Sequence, residues 1–272
     1  MAGWGSHAAA IPMTNKSSNI QNLIQHVVGA IHAAEQSDEP FFHLRLVDVF
    51  PADMYAALLS AMPVKGDYRQ MSGAAKSTRT NDGSGTRTKI DLLPEYIRRL
   101  PREKREVWEV VGKVLCSKEV REAFRQRLAP GLEKRFGPDY TRVRMYPIPI
   151  LTRDVPGYSI GLHPDTHWKG MTIQLYLPPD RSIEHVGTVF YKINSENALE
   201  RAAQMSFSPN TGYAFAVDRH TYHSVDTVGP EVQTRDSILL TFFVDKTPLQ
   251  ILRNRLNRLG NFALSEFRRL VR

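Results

Sequence analysis

The sequence predicts an α+β fold in which a mainly β core is flanked by helices. Residues 141–246 contain about eight short segments rich in β-branched and aromatic residues, separated by Pro, Gly, Asn and Asp. Short strands at such close intervals are typical of an antiparallel sandwich or barrel. Residues 20–140 and 247–272 carry apolar residues mainly at helical spacing. No linker rich in Pro, Gly and Ser interrupts the 272 residues, so the pattern favours a single domain.

The region before the β core is predicted to be a mostly helical cover. Residues 1–19 lack a continuous apolar stretch and are expected to be disordered. The apolar spacing of residues 19–34 predicts an amphipathic helix, and residues 41–50 alternate as a strand does. Pro51 suits the first turn of a following helix. Residues 92–136 are rich in charge and largely helical.

The composition excludes several classes of protein. A hydrophobic content of 42% is too high for a disordered polyelectrolyte. No apolar run reaches the roughly 18 residues that a membrane span requires. Cys116 is the single cysteine, so neither an internal disulfide nor a cysteine-based zinc site can form. These features favour a soluble protein of the cytoplasm.

The formal net charge of +8 is concentrated in two segments. Residues 72–89 carry a net charge of +3 and residues 247–272 a net charge of +5, so the rest of the chain is formally neutral. Proteins that bind nucleic acid usually have a basic face or a recognisable groove-binding module. The sequence has neither, and nucleic acid is therefore not expected as a partner.

The basic segment 72–89 contains no large apolar side chain with which to anchor itself in a core, and a mobile loop is expected. Such a loop could close over an acidic substrate, with Arg79, Asn81 or Arg87 as contacts. The alternative is a disordered surface loop that makes no such contact. The sequence leaves both open.

The C-terminal segment 247–272 is predicted to form a basic amphipathic helix. Leucines and a phenylalanine recur at three- and four-residue spacing, and the arginines lie largely off that seam. Gly260 interrupts the pattern. Three roles fit such a helix: packing on its own domain, self-association, and peripheral contact with an anionic membrane.

His163, Asp165 and His223 are candidate metal ligands. His163 and Asp165 stand two residues apart at the end of a predicted strand, so both can be directed at one ion. His223 begins another predicted strand and can supply a second imidazole. Two histidines and one carboxylate on one face of an iron ion leave the remaining coordination positions open for substrates.

Arg235 opens a nearly continuous apolar segment that is expected to be a buried strand. A buried guanidinium is costly without an anion, so a paired carboxylate is expected. A protein Asp or Glu can supply that carboxylate, and so can a bound ligand. Ser237 lies two residues on and faces the same side of the strand, where its hydroxyl could bind the same anion.

The order of these motifs resembles the Fe(II)- and 2-oxoglutarate-dependent dioxygenases, particularly their prolyl-hydroxylase-like branch. The resemblance covers residues 41–245 and is strongest from Tyr146 onward. It rests on this series along the chain: His163-x-Asp165, MTIQLYLPP, GTVFYK, PNTGYAF, YHSV and Arg235-x-Ser237. It implies a double-stranded β-helix, or jelly roll, as the core.

The same resemblance implies roles for individual residues. The iron ligands would be His163, Asp165 and His223. The residues that bind 2-oxoglutarate would be Arg235, Ser237, Tyr176 and Tyr146, of which Tyr146 stands further from His163 than in the family. For both tyrosines the alternative is core packing with a satisfied hydroxyl. His167 and Trp168, which follow Asp165, would contact the substrate or are incidental loop residues.

The implied reaction uses Fe(II), consumes 2-oxoglutarate and O₂, and releases succinate and CO₂, with ascorbate as an accessory reductant. Related halogenases replace the acid of the ligand set with a small residue. Because Asp165 is retained, hydroxylation of an unactivated C–H bond is favoured. The expected substrate is a small molecule such as an amino acid, a natural product or a saccharide. Two alternatives stay open: hydroxylation of a peptidyl proline or another protein residue, and a catalytically silent binding or scaffold protein of the same fold.

Overall fold

The computed structural model describes residues 16–71 and 85–244, together with the single residues 256 and 260. Helices occupy most of the region before the β core, as the apolar spacing predicts. Six α-helices lie in the described part of the chain: α1 (Lys16–Ala33), α2 (Ala52–Ser60), α3 (Pro94–Ile97), α4 (Arg102–Leu115), α5 (Lys118–Arg127) and α6 (Ala129–Phe136).

The core strands lie where the sequence has segments rich in β-branched and aromatic residues, and the turn residues lie between them. Four short strands precede the core: β1 (Glu35–Ser37), β2 (His43–Leu46), β3 (Arg69–Gln70) and β4 (Arg87–Asp91). Eight strands form the core: β5 (Met145–Asp154), β6 (Ile160–His163), β7 (Lys169–Tyr176), β8 (Val189–Ile193), β9 (Leu199–Gln204), β10 (Gly212–Ala216), β11 (His223–Val225) and β12 (Arg235–Val244). The predicted α+β class and the eight-stranded core are confirmed.

The strands form two antiparallel sheets. The large sheet has the order β1-β2-β10-β7-β12-β5-β4-β3, and the small sheet has the order β6-β11-β8-β9. Among the described strands, no hydrogen-bonded pair joins the two sheets. In this order β7, β12 and β5 lie in the interior of the large sheet, and they are its longest strands.

The two faces of the large sheet pack against different partners. Along β12, Ile238, Leu240 and Phe242 belong to the core that contains the helices, and the Phe242 ring lies 6.3 Å from that of Phe124 on α5. Because successive strand residues alternate between faces, the odd-numbered residues of β12 face the small sheet. This second face carries polar side chains, and we refer to the space between it and the small sheet as the cavity.

The helical layer is fixed by aromatic and aliphatic side chains that the sequence predicts as core. Trp108, Val111 and Leu115 recur at helical spacing on α4 and are fully buried. The Trp108 indole also donates a hydrogen bond of 2.8 Å to the backbone carbonyl of Ala61, so its one polar atom is satisfied. This layer covers the outer face of the large sheet.

The N-terminal region differs from the expected helical cover, because its strands extend the large sheet. β2 pairs with β10, and β4 pairs with β5. The boundaries of two predicted disordered segments are also wrong. Helix α1 begins at Lys16, within the segment 1–19, and β4 begins at Arg87, within the predicted loop 72–89. The residues of β4 show no strand pattern of their own. They form a strand because their backbone pairs with the C-terminal part of β5.

Most of the predicted C-terminal helix lies outside the described residues. Leu256 and Gly260 have helical backbone conformation. The predicted helix over 247–272, and the three roles that fit it, therefore stay predictions. Within the described part of the chain, no helix combines the length and apolar character needed to cross a membrane.

Candidate active site

Three potential metal ligands meet at one end of the cavity. His163 is the last residue of β6, and His223 is the first residue of β11, directly opposite it in the antiparallel pair. Their ring centroids are 4.5 Å apart. Asp165 follows β6, and one ligand atom from each of the three side chains lies within 4.8 Å of the others. The predicted ligand set is thus brought together.

Both histidines present the same nitrogen to the space between them. His163 Nδ1 lies 2.8 Å from the carbonyl oxygen of Gly161, and His223 Nδ1 lies 3.1 Å from that of Thr221. A carbonyl oxygen can only accept, so each Nδ1 must carry the proton. Each Nε2 consequently keeps a free lone pair, which is the arrangement that a metal-binding imidazole needs.

Asp165 is held by two donors. Its Oδ1 lies 2.5 Å from Lys169 Nζ, and its Oδ2 accepts a hydrogen bond of 2.6 Å from the hydroxyl of Thr172. Burial disfavours the charged form of Asp165, but Lys169, His223 and these hydrogen bonds outweigh burial and hold its pKa at about 2. The carboxylate is therefore ionised at neutral pH.

The imidazoles are neutral under the same conditions. Burial, followed by repulsion from His223, lowers the pKa of His163 to about 4. Burial also lowers the pKa of His223. At neutral pH the site therefore offers two neutral nitrogens and one carboxylate oxygen, a donor set that fits a divalent iron ion with coordination positions left open.

One face of β7 connects this ligand set to the opposite end of the cavity. Thr172, Gln174 and Tyr176 alternate along the strand and lie on that face. Thr172 binds Asp165, while Tyr176 is paired in register with Ser237 at the start of β12. Four residues of a strand span ~13 Å, so the two ends of the cavity are separated by about that length of sheet.

Arg235 lies at this second end and is completely buried, with 0% of its surface exposed. Its Nε donates to the carbonyl of Val186 at 2.7 Å, and its Nη1 donates to Asp154 Oδ2 at 2.9 Å. Its Nη2 has no hydrogen-bond partner among the described residues. The predicted carboxylate partner is therefore present as Asp154, and one donor of the guanidinium is still available.

A second buried donor accompanies it. The Tyr158 hydroxyl is buried and, like Arg235 Nη2, is without a hydrogen-bond partner in the part of the chain that the structure describes. Buried polar groups are rarely left unpaired, since each costs free energy unless an acceptor is supplied. Burial raises the pKa of Tyr158, and the nearby Asp154 carboxylate adds to this effect. Together they outweigh the opposite effect of Arg87 and Arg235, so the hydroxyl keeps its proton and can donate it.

Arg87 contributes a second guanidinium to Asp154. Its Nε lies 2.6 Å from Asp154 Oδ1, and its Nη2 lies 2.8 Å from Oδ2. This placement differs from the expected contact with substrate in a mobile loop. Arg87 lies directly beside Asp154 in the register of β4 and β5, and its side chain is only 11% exposed. The reason is the pairing of β4 with β5, which places Arg87 within hydrogen-bonding distance of both carboxylate oxygens of Asp154.

The hydroxyls of Ser237 and Tyr176 are already engaged. Ser237 Oγ lies 2.9 Å from both Thr152 Oγ1 and Gln174 Nε2. The Tyr176 hydroxyl donates to Thr188 Oγ1 and accepts from the Thr188 amide, both at 3.1 Å. These residues form a polar network at the base of the cavity. Tyr176 also lies against Arg235, whose guanidinium carbon is 5.7 Å from the ring centroid.

The remaining predicted residues lie elsewhere. Tyr146 shares the cavity face of β5 with Asp154 but stands eight residues earlier, where its ring stacks on that of Phe243 at 5.7 Å. His167 and Trp168 form an edge-on pair at 4.9 Å in the loop after Asp165. Arg79 and Asn81 lie outside the described residues.

Sequence reasoning did not find Asp154, Tyr158 or Gln174. Asp154 ends a strand whose central residues are apolar, and this was a usable indication, since a buried acid needs a cation as its partner. Tyr158 lies in a turn where a tyrosine has no distinguishing pattern. Gln174 interrupts the apolar run of β7, but only the structure shows that its amide joins Ser237 to the Tyr213 hydroxyl, 2.7 Å away.

Comparison with known proteins adds information on the fold. No protein-family model and no curated protein matches the sequence. A prolyl 4-hydroxylase structure from Phytophthora capsici matches with 13% identity and a TM-score of 0.51, over 89% of this chain and 70% of that one. The chain has the fold of a prolyl 4-hydroxylase. The predicted resemblance to the prolyl-hydroxylase-like branch is confirmed at the level of fold.

Other solved structures give similar values. A prolyl-4-hydroxylase from Pseudomonas putida is 13% identical, with a TM-score of 0.45 over 81% of this chain and 98% of that chain. A 2OG-Fe(II) oxygenase family oxidoreductase from Burkholderia pseudomallei is also 13% identical, with a TM-score of 0.45 over 74% of this chain and 85% of that chain. At such identity the prolyl 4-hydroxylase likeness shows the fold alone, so activity must be argued from the cavity residues.

Proposed function

We propose that the protein is an Fe(II)- and 2-oxoglutarate-dependent dioxygenase that hydroxylates an unactivated C–H bond of a small molecule. One observation carries the proposal: two sites of opposite charge preference lie on the same face of the large sheet, at the two ends of the row formed by Thr172, Gln174 and Tyr176 of β7. The group His163, Asp165 and His223 at one end suits a divalent cation. Arg235 at the other end is buried with a free donor and suits a carboxylate.

The residues present fit both groups. His163, His223 and Asp165 would hold iron through two Nε2 atoms and one carboxylate oxygen. Arg235 Nη2 and the Tyr158 hydroxyl would receive the distal carboxylate of 2-oxoglutarate, which supplies the acceptors that these buried donors lack. When bound, iron and 2-oxoglutarate supply the oxygen activation that amino-acid side chains cannot.

The protein's own contribution is to position these groups and to exclude water. The backbone carbonyls of Gly161 and Thr221 fix the orientation of the two imidazoles. Lys169 and Thr172 hold the carboxylate of Asp165 in place. Aromatic residues seal the cavity between the sheets and are almost completely buried: Tyr176, Phe190, Phe207, Tyr213 and Phe215.

Aromatic rings near the metal end support a small substrate with a flat or apolar part. Lys169, which binds Asp165, is paired in register with Phe243, and Phe243 stacks on Tyr146. Trp168 is 51% exposed in the adjoining loop. Partly exposed aromatic surface beside a reactive centre is a common feature of small-molecule sites.

The activity can be tested by oxygen-dependent succinate release from the full-length chain supplied with Fe(II), 2-oxoglutarate and ascorbate. We expect release above background for the native protein and none for His163→Ala, which removes a metal ligand. His220→Ala is a matched control, because His220 is exposed in the turn before β11. It should stay within about twofold of the native protein, as surface substitutions usually do. Native protein that binds neither iron nor 2-oxoglutarate would overturn the proposal and favour a silent scaffold.

A second candidate function is hydroxylation of a peptidyl proline. It is favoured by the fold likeness to the Phytophthora capsici prolyl 4-hydroxylase. Succinate release should be compared between a panel of amino acids, saccharides and aromatic natural products and a panel of proline-containing peptides. Stimulation by the small molecules alone supports the first candidate, whereas stimulation by the peptides alone replaces it with the second.

A further inference from the structure

We propose that Arg87 sets the charge of the anion pocket and is thereby a positioning residue for the carboxylate of 2-oxoglutarate. The inference rests on the proposed function and deepens it. Arg87, Asp154 and Arg235 lie directly beside one another on the adjacent strands β4, β5 and β12. Neighbouring side chains on one face of an antiparallel pair are ~4.5–5.5 Å apart at Cβ, close enough for direct ion pairs.

The three side chains form a chain of charge-assisted hydrogen bonds. Arg87 binds both oxygens of Asp154, at 2.6 and 2.8 Å, and Arg235 shares Oδ2 at 2.9 Å. Arg235 and Asp154 are both 0% exposed. Arg87 consequently fixes the Asp154 carboxylate through two hydrogen bonds, and Asp154 in turn orients the Arg235 guanidinium.

The balance of charge decides what this arrangement can bind. If Asp154 were paired with Arg235 alone, the two charges would cancel and the pocket would have little attraction for an anion. Because Arg87 neutralises Asp154, the group of three keeps one net positive charge, which matches a single carboxylate. In a buried site such a charge is poorly screened by water, so its effect on anion affinity is large.

Other charges near the group do not alter this balance. Lys89, two residues along β4, is paired with Asp91 at 3.0 Å and forms a neutral pair. The Tyr158 ring lies under the Arg87 guanidinium, 4.2 Å from its carbon, and carries no charge. Among the described residues, the net charge of the pocket therefore depends on Arg87.

The test is an anaerobic calorimetric titration of 2-oxoglutarate into the full-length protein loaded with Mn(II), a metal that accepts the same types of ligand. For Arg87→Met we expect the dissociation constant to rise at least about tenfold, or ~1.4 kcal/mol. Mn(II) affinity should be unchanged, which shows that the fold and the metal ligands are intact.

A second substitution separates charge from mere structural damage. Adding Asp154→Asn to Arg87→Met removes the uncompensated carboxylate and returns the pocket to one net positive charge. The double variant should bind 2-oxoglutarate more tightly than Arg87→Met alone and regain most of the lost affinity. A purely structural role of Arg87 predicts the opposite, namely a further loss. Arg87→Lys keeps the charge and should therefore lose less affinity for 2-oxoglutarate than Arg87→Met. If Arg87→Met does not fold, the comparison of Arg87→Lys with the native protein still tests the proposal.

The structure provides a matched control in Arg153. It binds Asp236 through two contacts of 2.7 and 3.0 Å between β5 and β12, the strands that carry Asp154 and Arg235, but on the opposite face of the sheet. Arg153→Met should therefore leave the affinity for 2-oxoglutarate unchanged. If native protein binds 2-oxoglutarate but Arg87→Met binds it equally well, or if Arg87→Lys loses as much as Arg87→Met, the inference is wrong while the proposed function stands. If native protein fails to bind it, the proposed function fails first.

Discussion

Near Arg235, the buried donors that have no protein partner differ from the buried hydroxyls whose hydrogen bonds are already made. Arg235 Nη2 and the Tyr158 hydroxyl are buried without partners among the described residues. The hydroxyls of Tyr176 and Ser237 are buried as well, but each already has two hydrogen-bonding contacts. We therefore assign the second donor of the anion pocket to Tyr158 rather than to Tyr176.

Substitution of Tyr158 by phenylalanine tests this assignment. It removes one neutral hydrogen bond without changing charge or ring packing, a loss of about 1 kcal/mol or roughly fivefold in affinity. We expect that weakening in a titration of 2-oxoglutarate into the Mn(II)-loaded protein. Tyr68→Phe is the control, since Tyr68 also has a buried hydroxyl without a described partner but packs against Arg153. Equal affinity of the Tyr158→Phe and native proteins would show that this hydroxyl does not contact the cosubstrate.

At the residue scale, sequence could predict the metal ligands but not the partners of Arg235. His163 and Asp165 are two residues apart, so their proximity is a local property of the chain. Asp154 is separated by 67 residues from Arg87 and by 81 residues from Arg235. Their contact depends on which strands become neighbours, and no short-range pattern encodes that order.

Among the elements, α6 secures the loop that carries Asp165. The guanidinium of Arg135, near the end of this helix, donates to the backbone carbonyls of His167, Lys169 and Val217. Helix and sheet approach closely here, because a Cβ at Gly131 would lie only 2.8 Å from that of Ala216. Arg135 thus ties the loop after β6 to the end of β10.

Arg135→Met should weaken metal binding although Arg135 does not touch the metal ligands. The loop and the adjoining first residue of β7 would lose two hydrogen bonds, and the end of β10 would lose a third, so Asp165 would be less well positioned. Substitutions of residues that orient metal ligands typically reduce affinity about 10- to 100-fold, and Mn(II) titration should show a loss in that range. Arg125→Met is the comparison, since Arg125 likewise donates to two carbonyls, those of Thr141 and Val143, but away from this loop. A similar Mn(II) affinity for both variants would contradict a specific role of Arg135.

Helices and central strands were predictable because their apolar spacing is strong, and the strands at or next to a sheet edge were not. β4 and β9 are rich in charged or small polar residues and show no clear alternation. Such strands are formed by backbone pairing with a neighbour, which contributes nothing to the local hydrophobic pattern.

At the scale of the whole molecule, two sites that prefer opposite charges lie between the large and the small sheet. The β7 face joins them through Thr172, Gln174 and Tyr176. If a single 2-oxoglutarate molecule engages both ends, the metal must increase its affinity, and 2-oxoglutarate must increase metal affinity by the same factor. This reciprocity distinguishes a shared site from two independent ones.

The most direct measurement is therefore the affinity for 2-oxoglutarate with and without Mn(II), determined anaerobically by calorimetry on the full-length protein. We predict binding at least about tenfold tighter with the metal, equivalent to ~1.4 kcal/mol of coupling. His223→Ala should abolish this difference and leave only the weaker, metal-independent binding at Arg235. Equal affinities with and without metal, or no binding in either state, would contradict the proposal that one site between the two sheets binds both iron and 2-oxoglutarate.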